Sequence, residues 1–232
     1  MDTKANSTAE GTPLVIVAIA LVTLIVFIAV ALQVTSVPGV GSLDLWVNQM
    51  IQDLRGPLMT SLALAIDLWF VPAGIISVIA LGVVLYLKRR LNLLLLVTFS
   101  SLAALSLDYI CELAIPRARP PNAMIQVSGN SFPSGHALLA TVLFVLLIIC
   151  FKDSIGNRVG QYLFIAIDLG LIFFISFSRL YLNVHWMSDV VAGIDLGILV
   201  IALGVLALWK TGRRFESGYS PRLSMEGRPD GA

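Results

Sequence analysis

Two histidines are the only ones in the 232-residue chain, and each stands in a polar island within an otherwise apolar sequence. His185 lies in Ser178-Arg179-x5-His185-x3-Asp189. Four residues apart, His185 and Asp189 share one face if a helix begins near them. A carboxylate bonded to one imidazole nitrogen fixes the tautomer and leaves the other nitrogen free as a nucleophile. A histidine at a helix start held by a capping aspartate has the same spacing without any chemistry. His136 closes Pro133-Ser134-Gly135-His136, where Ser134 is a good N-cap residue and Gly135 admits a ligand close to the backbone. The free amides of a helix N-terminus bind anions, and a histidine on the first turn can serve a phosphate ester oxygen as general acid. An N-cap followed by an ordinary helix is the plainer alternative. Arg117-Ala118-Arg119-Pro120 precedes both islands. Arg119 and Arg179 carry planar forks that match phosphate oxygens bidentately, although arginines near membrane ends also snorkel. A nucleophile, an acid and two anion-binding forks together point to phosphoryl transfer at a membrane surface.

The elements that position these residues must be membrane helices. Hydrophobic residues make up 58% of the chain and charged residues only 12%, roughly half the charge of a soluble domain. The apolar residues fall into runs long enough to span a bilayer. Six spans are expected, at about 14–34, 58–87, 91–111, 136–151, 160–178 and 189–209. The fold class is therefore all-α: a polytopic six-transmembrane-helix bundle. The second span is over-long and carries Asp67 and Pro72, so a bend or a partial crossing is expected there. The first run is too long for a signal-peptide core and reads as a retained helix. Between spans one and two, Leu43, Trp46, Val47, Met50, Ile51 and Leu54 form one apolar helical stripe that only Leu45 breaks, with Asp44, Asn48, Gln52, Asp53 and Arg55 away from it. A short helix lying in the interface plane fits this pattern, either shaping a lipid path or acting as a packed connector.

Lys88, Arg89, Arg90, Lys152, Arg158, Lys210, Arg213 and Arg214 all fall on one side of the expected bundle, and the positive-inside rule makes that side cytoplasmic. Both termini are then cytoplasmic, and residues 112–135 and 179–188, with both histidines, face the other side. Residues 1–13 form an N-terminal segment, 14–209 the six-span domain, and 210–232 a solvated, poorly ordered tail. Cys111 and Cys150 fall at opposite membrane faces, too far apart for a disulfide. The net charge of +1 says nothing of a partner, because the distribution of charge matters here and its total does not; no nucleic-acid partner is expected.

The three islands, in this order and on one face, resemble the type 2 phosphatidic-acid phosphatase superfamily of membrane lipid phosphatases, which is related to the vanadium haloperoxidases. The family pattern is Lys-x6-Arg-Pro, then Pro-Ser-Gly-His, then Ser-Arg-x5-His-x3-Asp. The second block matches at Pro133, Ser134, Gly135 and His136, and the third at Ser178, Arg179, His185 and Asp189. The first matches only at Arg119 and Pro120. The resemblance implies that His185 attacks phosphorus to form a phosphohistidine, that Asp189 orients it, and that His136 protonates the leaving oxygen. It further implies that Arg119, Arg179, Ser134 and Gly135 hold the phosphoryl oxygens, without metal or other cofactor. The departure is Glu112, at the position of the family lysine. Three readings follow: Arg117 replaces the lysine, Glu112 contacts a cationic or hydroxylated headgroup, or the site is weakened or silent.

The resulting expectation is a lipid phosphatase acting on an isoprenoid diphosphate, phosphatidylglycerol phosphate or phosphatidic acid, unranked by the sequence, in a bacterial plasma membrane with its site outside the cytoplasm. A phosphotransferase using the same site is the second enzymatic reading. A lipid-binding or transport protein is the non-enzymatic one, and carboxylates in or near spans (Asp67, Asp108, Asp168 and Asp195) suit it too. Asp195, six residues beyond Asp189, is a candidate for supporting the site; oligomeric state is not legible.

Overall fold

Long apolar stretches in lipid must satisfy every backbone polar group internally, which selects helices. The computed structural model describes residues 3–36 and 40–210, with residues 3–13 described by backbone alone. It contains seven α-helices: α1 (Thr3–Ser36), α2 (Ser42–Gln52), α3 (Pro57–Leu87), α4 (Leu91–Ala114), α5 (Gly135–Phe151), α6 (Arg158–Tyr181) and α7 (Met187–Lys210). All but α2 are long and apolar enough to cross a membrane. The chain is an integral membrane protein built as an all-helical bundle. The expected spans agree with the helices to within a few residues at each end, except that α1 begins at Thr3, well before its apolar stretch Leu14–Ser36. From residue 211 onward, the tail expected to be poorly ordered lies outside the described residues.

α7 is the central helix: 56% of its most apolar stretch is buried, against 11% for α1 and for α3. It packs against α1, α4 and α5. Glycines allow the close approach to α5. A Cβ at Gly193 would lie 2.5 Å from the Ser134 carbonyl oxygen, and one at Gly197 would lie 2.8 Å from Thr141 Cβ. Small residues four apart let membrane helices meet backbone to backbone, and here they seat the start of α5 against α7. Leu96, Ala104, Leu138 and Leu146 are fully buried beneath this contact, and Cys150 packs in the same cluster with Cys111 at its edge. Both cysteines are free thiols. The outer faces of α1 and α3 expose leucine, isoleucine and valine, the reverse of a soluble surface and suited to acyl chains.

α3 runs as one 31-residue helix with Pro72 inside it. Neighbouring helices let a membrane helix tolerate an internal proline, and at 1.5 Å per residue it is longer than the hydrocarbon core, so it tilts or projects.

α2 forms where the amphipathic pattern places it, but its polar side faces the protein. Leu43, Leu45, Trp46, Met50 and Leu54 are exposed, while Asp44 and Ile51 are buried at 4% exposure each. Asn48 Nδ2 donates to Asn183 Oδ1, and Gln52 Nε2 donates to Asn48 Oδ1 at 2.5 Å. Asp44, Asn48 and Gln52, at i, i+4 and i+8, thus line one helix face turned toward the loops between spans. Leu43, Trp46, Met50 and Leu54 of the apolar stripe face outward, while Val47 and Ile51 pack inward in a cluster with Tyr181, Leu182 and Val184.

Candidate active site

The three islands meet at one end of the bundle, where α4 ends, α5 and α7 begin, and α6 gives way to the turn before α7. The basic residues Lys88, Arg89, Arg90, Lys152, Arg158 and Lys210 stand at helix ends on the opposite side. Between α4 and α5, residues 115–134 form a loop with no helix or strand. Arg119 organises it. Its Nε donates to the Gly129 carbonyl at 3.3 Å, and Nη2 donates to the carbonyls of Ser128 (3.1 Å) and Asn130 (2.8 Å). Nη1 donates to the Val184 carbonyl at 3.0 Å and lies 3.3 Å from His185 Nε2. Arginine has five N–H donors, so the guanidinium is saturated, with the nucleophile candidate as one of its five partners. Burial pushes the Arg119 pKa down, and the Glu112 carboxylate is the largest influence pulling it back up.

His185 is 5% exposed. Its Nδ1 lies 2.7 Å from the Ser131 carbonyl oxygen, a partner that requires the proton on Nδ1 and leaves Nε2 with its lone pair. Asp189 Oδ2 is 3.7 Å from Nδ1, within ion-pair range but beyond a hydrogen bond. The expectation that Asp189 bonds the imidazole is therefore corrected: a backbone carbonyl makes that bond, and Asp189 acts through its charge. Asp189 Oδ2 instead accepts from the Trp186 amide at 2.8 Å, as an acidic residue at N3 reaching back to the N-cap amide does. Burial pushes the His185 pKa below the usual histidine value, with Asp189 opposing and Arg119 and Arg179 reinforcing.

Arg179 is 2% exposed and closes the site from α6. Its Nη1 donates to Asp67 Oδ1 at 2.6 Å, which assigns Asp67 of α3, without a role in the sequence, as the counter-charge of a buried arginine. Arg179 Nε has no partner. Ser134 is the N-cap of α5, yet its hydroxyl makes no capping bond; Ser134 Oγ and His136 Nε2 are also buried without partners. The His136 ring lies against Phe70, with centroids 5.6 Å apart. At Gly135 a Cβ would come within 2.7 Å of Asp108 Oδ2, so the absence of a side chain lets Asp108 of α4 approach the start of α5.

Arg117 is directed elsewhere. Its Nη2 donates to Asp44 Oδ2 at 2.6 Å and its Nη1 to Ser188 Oγ at 2.7 Å and to Asp189 Oδ1. Its Cζ also sits 5.9 Å from the Trp186 ring centroid. Its charge is held between two carboxylates, Asp44 and Asp189. Glu112 packs against Gly129, a left-handed residue at φ +79 where its carboxylate leaves no room for a Cβ. Its backbone carbonyl accepts from Asn130 Nδ2 at 2.8 Å. Glu112 thus braces the loop that wraps Arg119. Asp195 Oδ2 and Asp168 Oδ2 are buried without partners, and nothing ties Asp195 to Asp189.

Sequence reasoning did not select Asp44 or Ser131. Asp44 carried one usable signal, an acid on the polar face of a helix otherwise suited to lipid. Ser131 acts through its carbonyl, which no residue type announces.

A family model described as the PAP2 superfamily matches residues 89–213. Phosphatidylglycerophosphatase B of Bacillus subtilis (strain 168) is 30% identical over 131 residues, covering 56% of this chain and 64% of that protein. An undecaprenyl-diphosphatase of Sulfolobus acidocaldarius is 29% identical over 139 residues, covering 56% of this chain and 61% of that protein. The chain thus spans less than two thirds of the length of these relatives. Among solved structures, a transmembrane PAP2-type phosphatidylglycerolphosphate phosphatase from Bacillus subtilis superposes with a TM-score of 0.65 at 23% identity, covering 85% of this chain and 98% of that one. Aquifex aeolicus LpxE superposes with a TM-score of 0.52 at 21% identity, covering 71% and 96%. These likenesses bear on the fold.

Proposed function

The chain belongs to the PAP2 superfamily, and from that premise we propose that it is a membrane lipid phosphatase working through a phosphohistidine. The observation that carries the reading is the state of the His185 imidazole. Nδ1 is committed to the Ser131 carbonyl, and Nε2 faces an Arg119 N–H. The Nε2 lone pair attacks phosphorus, and the bond from phosphorus to the lipid oxygen breaks. That oxygen takes a proton from His136. Water then attacks the phosphohistidine while giving a proton back to His136, the bond from phosphorus to Nε2 breaks, and phosphate leaves with the imidazole restored.

The Arg119 N–H now on Nε2 is the donor freed to follow a phosphoryl oxygen once Nε2 becomes bonded to phosphorus. Arg179 Nε, Ser134 Oγ and the amides at Gly135 and His136 supply further donors aimed at developing negative charge. Asp189 stabilises the imidazole as it becomes cationic. None of these steps calls on a metal or other cofactor. The basic helix ends on the far side favour a cytoplasmic placement of that side, with the site facing away from the cytoplasm, both chain ends inside, and 14–209 acting as one domain. The substrates we favour are phosphatidylglycerol phosphate and isoprenoid diphosphates, matching the names of the relatives, with phosphatidic acid next.

The test is phosphate release by purified protein from a panel of lipid mono- and diphosphates in EDTA, with His185→Ala alongside. Release that vanishes in the variant is the expected result; release that persists overturns the phosphohistidine. A second reading, a weakened or transferring site, is favoured by Glu112 at the family lysine position. Glu112→Lys separates the two: a strong gain in turnover supports weakening, and a loss supports the bracing of the Arg119 loop by Glu112.

A further inference from the structure

Asp44 lies on α2, outside the family-matched segment, and is buried at 4% exposure. A buried carboxylate persists only with strong partners, and those of Asp44 all belong to the catalytic end. Oδ1 accepts from the Ser188 amide at 2.8 Å, and Oδ2 accepts from Ser188 Oγ at 2.6 Å and from Arg117 Nη2 at 2.6 Å. Ser188 is the second residue of α7, so Asp44 satisfies a first-turn amide of that helix from a different helix, with its negative charge at the positive end of the dipole. Through Arg117 it also meets Asp189, the next residue along α7. A narrow cleft lined by Asp44, Val47, Asn48, His185, Trp186 and Met187 brings α2 to the nucleophile itself.

We infer that Asp44 is a positioning residue for the reaction, holding Arg117 between two carboxylates so that Asp189 stays beside His185. Arg117 carries one positive charge and shares it between Asp44 and Asp189. With Asp44 neutral, Arg117 moves wholly onto Asp189, which then offers His185 less negative field and a less fixed position. A displacement near 1 Å at a reacting group lowers turnover by about 10²-fold. The inference rests on the phosphohistidine reading for its kinetic arm only.

The experiment compares wild type, Asp44→Asn, Asp44→Glu and Gln52→Ala in detergent, by lipid-phosphate turnover and by 15N NMR of the two histidines. Asp44→Asn keeps the shape of the side chain. It is expected to lower kcat about 10-fold to 100-fold with KM within about twofold, and Asp44→Glu is expected to recover part of the loss. Gln52→Ala loosens α2 without touching Arg117 and is expected to leave kcat within about twofold. In the NMR arm, the His185 titration moves to lower pH in Asp44→Asn, because the imidazolium loses support. The charged and titratable groups around His185 are Asp189 on α7, Arg117 and Arg119 in the 115–134 loop, Arg179 on α6 and His136 on α5; all remain in this variant. Equal losses in Asp44→Asn and Gln52→Ala, or an unmoved His185 titration, overturn the inference. A wild type silent toward every lipid phosphate overturns the phosphatase reading instead, and the NMR arm still decides the role of Asp44.

Discussion

The two halves of the site differ in how their polar groups are satisfied. On the side of the 115–134 loop, every Arg119 donor has a partner, His185 Nδ1 is bonded, and Arg117 is held by two carboxylates. On the side of α5 and α6, Ser134 Oγ, His136 Nε2 and Arg179 Nε are buried without partners. Buried polar groups are normally bonded, and a lone unsatisfied donor costs about 1–3 kcal/mol. The first half is built as a scaffold. The second carries donors whose natural complement is a ligand rich in acceptors, and a phosphoryl group is one.

The sharpest way to break this contrast is Arg119→Lys. Lysine cannot bridge three successive carbonyls and a histidine at once, so the loop should loosen and the nucleophile lose its neighbour. Turnover should fall about 10²-fold to 10³-fold, with a Tm several degrees lower, because bonds worth about 1 kcal/mol each disappear together. Unchanged Tm with lost activity would make Arg119 a ligand only, and the two halves would then be alike. Asp67→Asn tests the other side. It leaves the Arg179 charge buried with a weakened partner, and we expect a drop in turnover of about 10-fold together with reduced thermal stability.

Ser134→Ala should have an opposite signature. Its hydroxyl has no partner to lose, so stability should hold or rise slightly while KM increases about tenfold or more, the worth of one hydrogen bond to an anion. A clear stability loss would show that Ser134 is bonded after all. The smallest effect is the position of the acid limb in a pH profile. Burial lowers the His185 pKa, so the folded protein keeps a neutral nucleophile below about pH 6.5, where an exposed histidine is half protonated. The rising limb of kcat/KM should lie below that pH. Stability linked to this group is present above about pH 6.5 and declines as pH falls toward the lowered folded value, because the unfolded chain binds the proton first. A limb at or above pH 6.5 would contradict a buried, neutral His185.

The bundle was legible because hydrophobic runs of span length have few alternatives, and the residues of the islands were legible because their types and spacing carry chemistry. His185, Asp189, Arg179, Ser134 and His136 converge as their spacing suggested. What spacing could not reveal was orientation across the site. Asp189 was expected to bond the imidazole, but its position at the third residue of α7 turns it toward the Trp186 amide. Arg117 looked like a spare cation until Asp44, 73 residues earlier, appeared opposite it. Asp67 had no assigned role in the sequence, because its partner Arg179 lies 112 residues away. The amphipathic stripe of α2 was read correctly as a stripe, yet a helical pattern does not say whether oil or protein meets its apolar side.

The inward polar face of α2 also has a consequence for how the protein is made. Asp44 is synthesised 144 residues before its partner Ser188. At ribosomal speeds of about 5–20 residues per second, that interval is roughly 7–30 s. Arg117 follows Asp44 after 73 residues, but Asn183 and Ser188, the partners of Asn48 and Asp44 just before and at the start of α7, come only at the end of that interval, while the exposed apolar side of α2 can already rest on the bilayer. The second helix to leave the ribosome is therefore among the last to dock. Stalled nascent chains ending before residue 183 should leave α2 open to protease, and chains that include all of α7 should protect it; early protection would mean that the membrane alone seats this helix.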